Sequence, residues 1–339
     1  MWPRVRADEG PGFMESANHP VSVTVQITER CNLRCTHCAV DSAPDRKPAW
    51  TEEMVEQLFD QIGNSQPILD LTGGEPLMAW PILHRFGAEA ARRSILWGFT
   101  SNGTLMDEQK AQTLKALNVY AVKISLDGLR TSHERVRGPG SFERAVRAIR
   151  ILRAKDITVG VQTALGMHNI SDLPELIQFL DDDDVNTLIL FPLMPMGRQA
   201  GNTRDVVRGT ALRDLVLSVR GQTTRRLRIH MELPQCGSLM HAEEDNVSVR
   251  CIVGHMLHFT AGGEAWPCPI YPYRLGTLHD DTVLSLMDHK LQAALRSRDG
   301  ILGACGSCRS FSKCGGGCRA VAFMSSNNIY APDPYCWEC

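Results

Sequence analysis

The sequence predicts an α/β protein: a parallel sheet with helices outside it, followed by a smaller cysteine-rich segment. Three observations lead there. Apolar runs of strand length alternate with amphipathic stretches through the first 200 residues, the alternation fades after about Gly197, and nine of the 12 cysteines lie from Cys236 onward. Residues 21–27 alternate β-branched and polar side chains, as a strand does. Thr51 then stands at an N-cap position, with Glu52 and Glu53 in the first turn, where acids favour the helix dipole. Met54, Val55, Leu58, Phe59 and Ile62 fall on one stripe, and Gly63 stops the helix.

Runs at 68–72, 95–100, 121–126, 157–164 and 187–191 read as further buried strands. Amphipathic segments such as Phe142, Ala145, Val146, Ile149 and Leu152 separate them. Six strands with helices between them imply a parallel sheet covered by helices. Periodicity alone does not distinguish an open sheet from one that curls towards a barrel. The run of Asp181, Asp182, Asp183 and Asp184 reads as a solvated helix-to-strand turn, not a metal site. Polar helical sequence fills 205–230, and a domain boundary is expected near residue 230.

Composition excludes several classes. With 43% hydrophobic and 22% charged residues the chain is neither disordered nor a polytopic membrane protein. A net charge of -2 gives no basic surplus for binding phosphate backbones, so no nucleic-acid partner is expected. Residues 1–14 contain no apolar core of a secretory signal, and the longest apolar stretch, 188–196, is broken by Pro192 and Pro195, far short of a bilayer span. A cytoplasmic location with no membrane partner is expected. Clustered cysteines there more often bind metal than form disulfides.

Cys31, Cys35 and Cys38 sit with three and then two residues between them, in the loop directly after the first strand. Three thiolates from one loop converge on a soft-metal centre. A structural zinc site needs closure by a fourth ligand, whereas a three-cysteine iron–sulfur cluster leaves one iron open. The other strands also end in polar or glycine-rich sequence: Gly73-Gly74-Glu75-Pro76, Ser101-Asn102-Gly103, Ser125-Leu126-Asp127-Gly128, Gln162-Thr163 and Met194-Pro195-Met196-Gly197-Arg198. In parallel β/α architectures chemistry gathers at that rim.

Cys31, Cys35 and Cys38 in CxxxCxxC spacing, with Gly73-Gly74-Glu75-Pro76 after the next strand, resemble a radical S-adenosylmethionine enzyme. The resemblance implies a partial (β/α)6 TIM-like barrel over 20–204, preceded by an extension at 1–19. In it the three thiolates hold a 4Fe-4S cluster whose open iron chelates S-adenosylmethionine, and reductive cleavage yields a 5'-deoxyadenosyl radical. His37 occupies a position that is often aromatic in this superfamily and packs near the adenine. Backbone carbonyls around Gly73, Gly74 and Glu75, with Pro76 completing the motif, accept from the methionine ammonium. Ser125 matches a donor to its carboxylate, Asn102 orients the ribose side, and Arg198 pairs with the carboxylate as a bidentate donor. His133, Glu134, Arg135 and Arg137 read as solvated helix-start residues.

The C-terminal cysteines form a second signature: Cys251, Gly263 and Cys268, then Cys305-x2-Cys308-x5-Cys314-x3-Cys318, then Cys336-x2-Cys339. A CxxC pair alone reads as zinc. In this context the string resembles a SPASM domain, here over 231–339 behind a helical linker at 205–230. That resemblance implies two auxiliary 4Fe-4S clusters, three in all. One takes Cys251, Cys268 and Cys318 with Cys236 or Cys339, and the other takes Cys305, Cys308, Cys314 and Cys336. The glycines between Cys314 and Cys318 indicate backbone passing close to another group. Relatives with SPASM domains mostly modify peptides or proteins. The resemblance therefore implies a ribosomally made peptide as substrate, an oxidative change such as a crosslink, and a flavodoxin- or ferredoxin-type reductant. Because the barrel starts near residue 20, a separate leader-binding protein is expected. Modification of a tetrapyrrole side chain and sulfatase maturation are the alternatives, and a zinc-binding scaffold is the non-enzyme one.

Overall fold

The computed structural model describes residues 19–47, 50–63, 65–234, 247–249, 251–301 and 303–338. Strand and helix alternate as β1 (Ser22–Gln26), α1 (Glu52–Ile62), β2 (Ile68–Thr72), α2 (Trp80–Arg92), β3 (Trp97–Ser101), α3 (Glu108–Ala116), β4 (Ala121–Ser125), α4 (Arg130–Arg137), α5 (Ser141–Arg153), β5 (Thr158–Leu165), α6 (Leu173–Asp182) and β6 (Thr187–Pro192). The six expected strands are all present, within about two residues of the runs that predicted them. Thr51 caps α1 by accepting from the Met54 N–H, and Gly63 ends it at a φ of 47°.

The sheet does not stop at β6. After α7 (Gly209–Arg220) come β7 (Arg228–Met231) and β8 (Val247–Val249), then β9 (Met256–Phe259), β10 (Glu264–Trp266) and β11 (Gly276–Thr277). The strand order is β11-β10-β9-β1-β2-β3-β4-β5-β6-β7-β8. The nine strands from β9 to β8 in that order are mutually parallel, and β10 and β11 run antiparallel at one edge. The segment expected as a linker thus carries α7 and leads straight into β7. Four short helices follow: α8 (Val283–Met287), α9 (Lys290–Ser297), α10 (Phe311–Cys314) and α11 (Arg319–Ser326).

Side chains alternate across the strands. Val23, Val25, Leu69, Leu71, Phe99, Val122, Ile124, Val159, Val161, Leu188 and Leu190 are fully buried and join the apolar helix faces in one core. The opposite, inner face carries Thr24, Gln26, Asp70, Thr72, Thr100, Lys123, Ser125 and Gln162. Among the described residues no helix is long and apolar enough to cross a membrane.

Asp181 corrects the sequence reading. It is 4% exposed, and its carboxylate accepts from the backbone N–H groups of Arg225, Arg226 and Leu227 at 2.8, 3.0 and 2.9 Å. Burial works against its charge, but the three N–H donors outweigh it and bring the pKa down to about 2. One acid of the run of four is therefore the internal fastener for the turn into β7.

Candidate functional site

Cys31 and Cys35 are 7% and 8% exposed, and Cys38 is half-buried. Their loop folds on itself: the Cys31 N–H donates to the Ala43 carbonyl at 3.1 Å and the Cys38 N–H to that of Cys35 at 3.3 Å. Both outer sulfurs accept from backbone, Cys31 Sγ from Leu33 and Cys38 Sγ from Ser42, each at 3.4 Å. Burial pushes the Cys31 thiol up to about 11, with Glu75, Cys35 and Cys38 adding to the rise. Cys35 is raised for the same first reason. Three sulfurs close enough to feel one another, with N–H donors aimed at two of them, fit a thiolate-bound cluster. Such a cluster must displace the thiol protons when it binds. Among the described residues no group of three or more Cys, His, Asp or Glu is set to hold a single metal ion. The fit rests on the shared loop, the N–H groups donated to two of the sulfurs and the soft donor set.

The loop is braced from three sides. After β2, the Gly74 and Glu75 N–H groups donate to the Thr28 and Arg30 carbonyls, both at 2.7 Å. This approach leaves no room for side chains: a Cβ at Gly73 would come within 2.9 Å of the Thr28 carbonyl oxygen, and one at Gly74 would collide with that of Arg30. Glu75 is fully buried. It accepts from the Leu77 N–H at 3.0 Å, the Ser101 hydroxyl at 2.7 Å and the Asn102 N–H at 2.7 Å, and burial raises its pKa. Its side chain therefore fastens the end of β2 to the end of β3. Pro76 opens the short 3-10 turn that follows. Asn102 donates to Asn32 Oδ1 at 3.0 Å and to Cys31 Sγ at 3.8 Å, and accepts from Thr104. The side chain expected on the ribose side thus reaches the cysteine loop itself.

Arg198 lies against the cysteine loop. Its Nη1 donates to the Cys35 carbonyl and its Nη2 to that of Ser42, both at 2.6 Å, while Nη2 pairs with Asp41 at 2.9 Å. Its own N–H donates to the Cys38 carbonyl at 2.9 Å. The guanidinium expected to pair with a ligand carboxylate thus also clamps the cysteine loop.

Sequence reasoning missed a buried knot behind that loop. Asp127, just past β4, is fully buried. Its Oδ2 meets His37 Nε2 at 3.0 Å and Arg137 Nε at 2.6 Å, and its Oδ1 accepts from the Ala164 N–H at 2.9 Å. His133 Nδ1 accepts from the Asp127 N–H at 3.0 Å. Burial opposes ionisation of Asp127, but Arg137 and His37 outweigh it and hold the carboxyl well below the usual range. Arg137 is likewise raised despite burial, because Asp127, Cys35 and Cys31 surround it. His133 is pushed down to about 4, first by burial and then by Arg137. His133 and Arg137 are therefore interior residues of α4, not solvated ones, and His37 is anchored to Asp127. The strand-end sequence Ser125-Leu126-Asp127-Gly128 was the available signal, with Gly128 at a φ of 100°.

Below this rim Ser125 is half-buried at the end of β4, in register with Gln162, which accepts from the Thr100 hydroxyl at 3.3 Å. One layer deeper Lys123 pairs with Asp70 at 2.6 Å across β3. The inner face is thus polar and ends in a salt bridge.

The C-terminal cysteines gather in two groups. Burial raises Cys268 and Cys318, the latter to about 12; both feel Cys251, and Cys268 also feels Cys318. Burial likewise raises Cys314, which feels Cys336 and Cys308. Cys305 joins this second group through the Cys308 N–H, which donates to its carbonyl at 3.2 Å. Cys236 and Cys339 lie outside the described residues. The turn between Cys314 and Cys318 passes under Arg298, Arg319 and Asp333. All three glycines have positive φ, and a Cβ at Gly315 would lie 3.2 Å from Arg298 Nη1.

Comparison with known proteins agrees with this layout. The radical SAM superfamily model matches residues 25–180. The chain is 26% identical to an AdoMet-dependent heme synthase of Methanosarcina barkeri, over 94% of this chain and 97% of that protein. It is 27% identical to the mycofactocin maturase MftC of Mycobacterium tuberculosis, over 96% of this chain and 84% of that one. Among solved structures, native anSMEcpe with bound AdoMet and Cp18Cys peptide superposes with a TM-score of 0.74 at 18% identity, covering 93% of each chain. That likeness concerns the fold.

Proposed function

We propose that this chain is a radical SAM enzyme, a reading supported by the match of the superfamily model to residues 25–180, and that it abstracts hydrogen from a peptide and completes an oxidative modification there. The observation that carries the reading is the buried loop of Cys31, Cys35 and Cys38 at the mouth of a parallel sheet, braced by Glu75, Asn102 and Arg198. When bound, a 4Fe-4S cluster with S-adenosylmethionine supplies a 5'-deoxyadenosyl radical. The protein's own share is positioning and exclusion of water. Arg198, Asn102 and Glu75 fix the loop; Ser125, Thr100 and Gln162 offer hydrogen bonds inside the sheet; the Lys123–Asp70 pair forms its floor.

The two C-terminal cysteine groups hold further iron–sulfur clusters in this reading. A flavodoxin- or ferredoxin-type protein supplies the reducing electron, and a separate protein presents the peptide leader. Similarity to MftC over 96% of this chain supports a peptide. Modification of a tetrapyrrole side chain is the second reading, favoured by one observation: the match to the heme synthase runs over 97% of that protein.

Anaerobic, reconstituted protein given dithionite and S-adenosylmethionine is expected to release 5'-deoxyadenosine. No nucleoside from iron-replete protein overturns the reading. Mass spectrometry then separates the substrates: a peptide that loses two hydrogens supports the first, and a tetrapyrrole that loses a carboxyl group supports the second.

A further inference from the structure

We propose that Arg298 is a positioning residue for the C-terminal centres, tying the two cysteine groups into one unit and holding up the reduction potential of the one at Cys251, Cys268 and Cys318. This rests on the reading that those groups bind iron–sulfur clusters. Arg298 Nη2 donates to Cys251 Sγ at 3.8 Å, and Nη1 donates to the Gly315 carbonyl at 2.8 Å and the Gly317 carbonyl at 3.4 Å. Those glycines join Cys314 of one group to Cys318 of the other. A single guanidinium therefore touches a sulfur of the first group and the backbone that links it to the second.

Two further observations support a role beyond packing. Arg298 follows α9 in the left-handed conformation, with a φ of 58°, where glycine or asparagine is favoured. The strained backbone brings the fork onto the turn, and Nε is fixed on the Leu295 carbonyl at 2.9 Å. The local charge is also unbalanced. Arg319, buried, donates to the Gly316 carbonyl from the other side, and Asp333, which accepts from the Cys318 N–H at 2.7 Å, is the acid there. Two guanidiniums facing one carboxylate suit an anionic occupant. A cation donating to a thiolate ligand stabilises the reduced, more negative cluster, so its removal lowers the potential.

The test is an EPR-monitored redox titration of the full-length, anaerobically reconstituted protein, with iron counted per chain, for wild type, R298M and R298K. R298M is expected to keep its iron and to show one C-terminal centre shifted to more negative potential, with the front centre unchanged. Full iron and unshifted midpoints in R298M overturn the proposal. If R298M does not hold its iron, R298K decides: an ammonium keeps the charge but is a single point without the fork whose separate nitrogens reach the sulfur and the carbonyls, so a smaller shift of the same sign is expected, and none overturns the proposal. Wild-type protein that binds iron only at the front site overturns the underlying reading instead, a result distinguishable because no variant is involved.

Discussion

Two aspartates show how much a single side chain can do in this fold. Asp181 has its pKa lowered from 3.8 to about 2, so the stability it provides is present above about pH 4 and is lost as pH falls through its folded value. Asp181→Asn should cost about 2 kcal/mol at pH 7. Denaturant titrations should show the gap between variant and wild type closing between about pH 4 and pH 2. Its three neighbours in the run gave no sign of this, because burial of one acid among four depends on where the Arg225–Leu227 turn docks, 44 to 46 residues further on. Asp127 was equally hidden. Its partners His37, Arg137 and Ala164 come from three different segments. The cysteine spacing, by contrast, was legible at once, because Cys31, Cys35 and Cys38 belong to one loop.

The strands were legible too, since each carries its own alternation of apolar and polar side chains. The contacts that brace the loop after β1 were not. Arg198 reaches Cys35 and Ser42 across 163 and 156 residues, and although its strand-end position marked it, nothing local named those partners. Arg198→Ala should lower iron retention at the front site and reduce nucleoside release by about 10-fold or more, with C-terminal iron retained; iron analysis and chromatography check this. Gly74→Ala should be more severe, because its Cβ meets backbone that cannot yield. Within β9, burial pushes His258 down to about 3. Its neutral form belongs to the folded state, so stability is full above about pH 6.5 and declines as pH falls towards 3. Between pH 6.5 and pH 5 this group alone should cost about 2 kcal/mol, and His258→Gln should flatten that part of the urea-midpoint profile.

For the molecule as a whole, the proposed function makes the two cysteine regions separable by chemistry. Cys35→Ala should abolish 5'-deoxyadenosine release while sparing C-terminal iron. Cys308→Ala should release the nucleoside without substrate yet form little product. Iron counts beside product assays read both. The two regions are not separable by fold, however. β9, from the cysteine-rich half, pairs in parallel with β1, while Gln57 and Gln61 of α1 bond to the backbone of Leu278 and Val283. A chain cut before Met256 would leave Ser22–Gln26 with one flank of bare amides and carbonyls, an open template for neighbouring copies. Such a fragment is expected to collect in insoluble material, however intact its first cysteine loop.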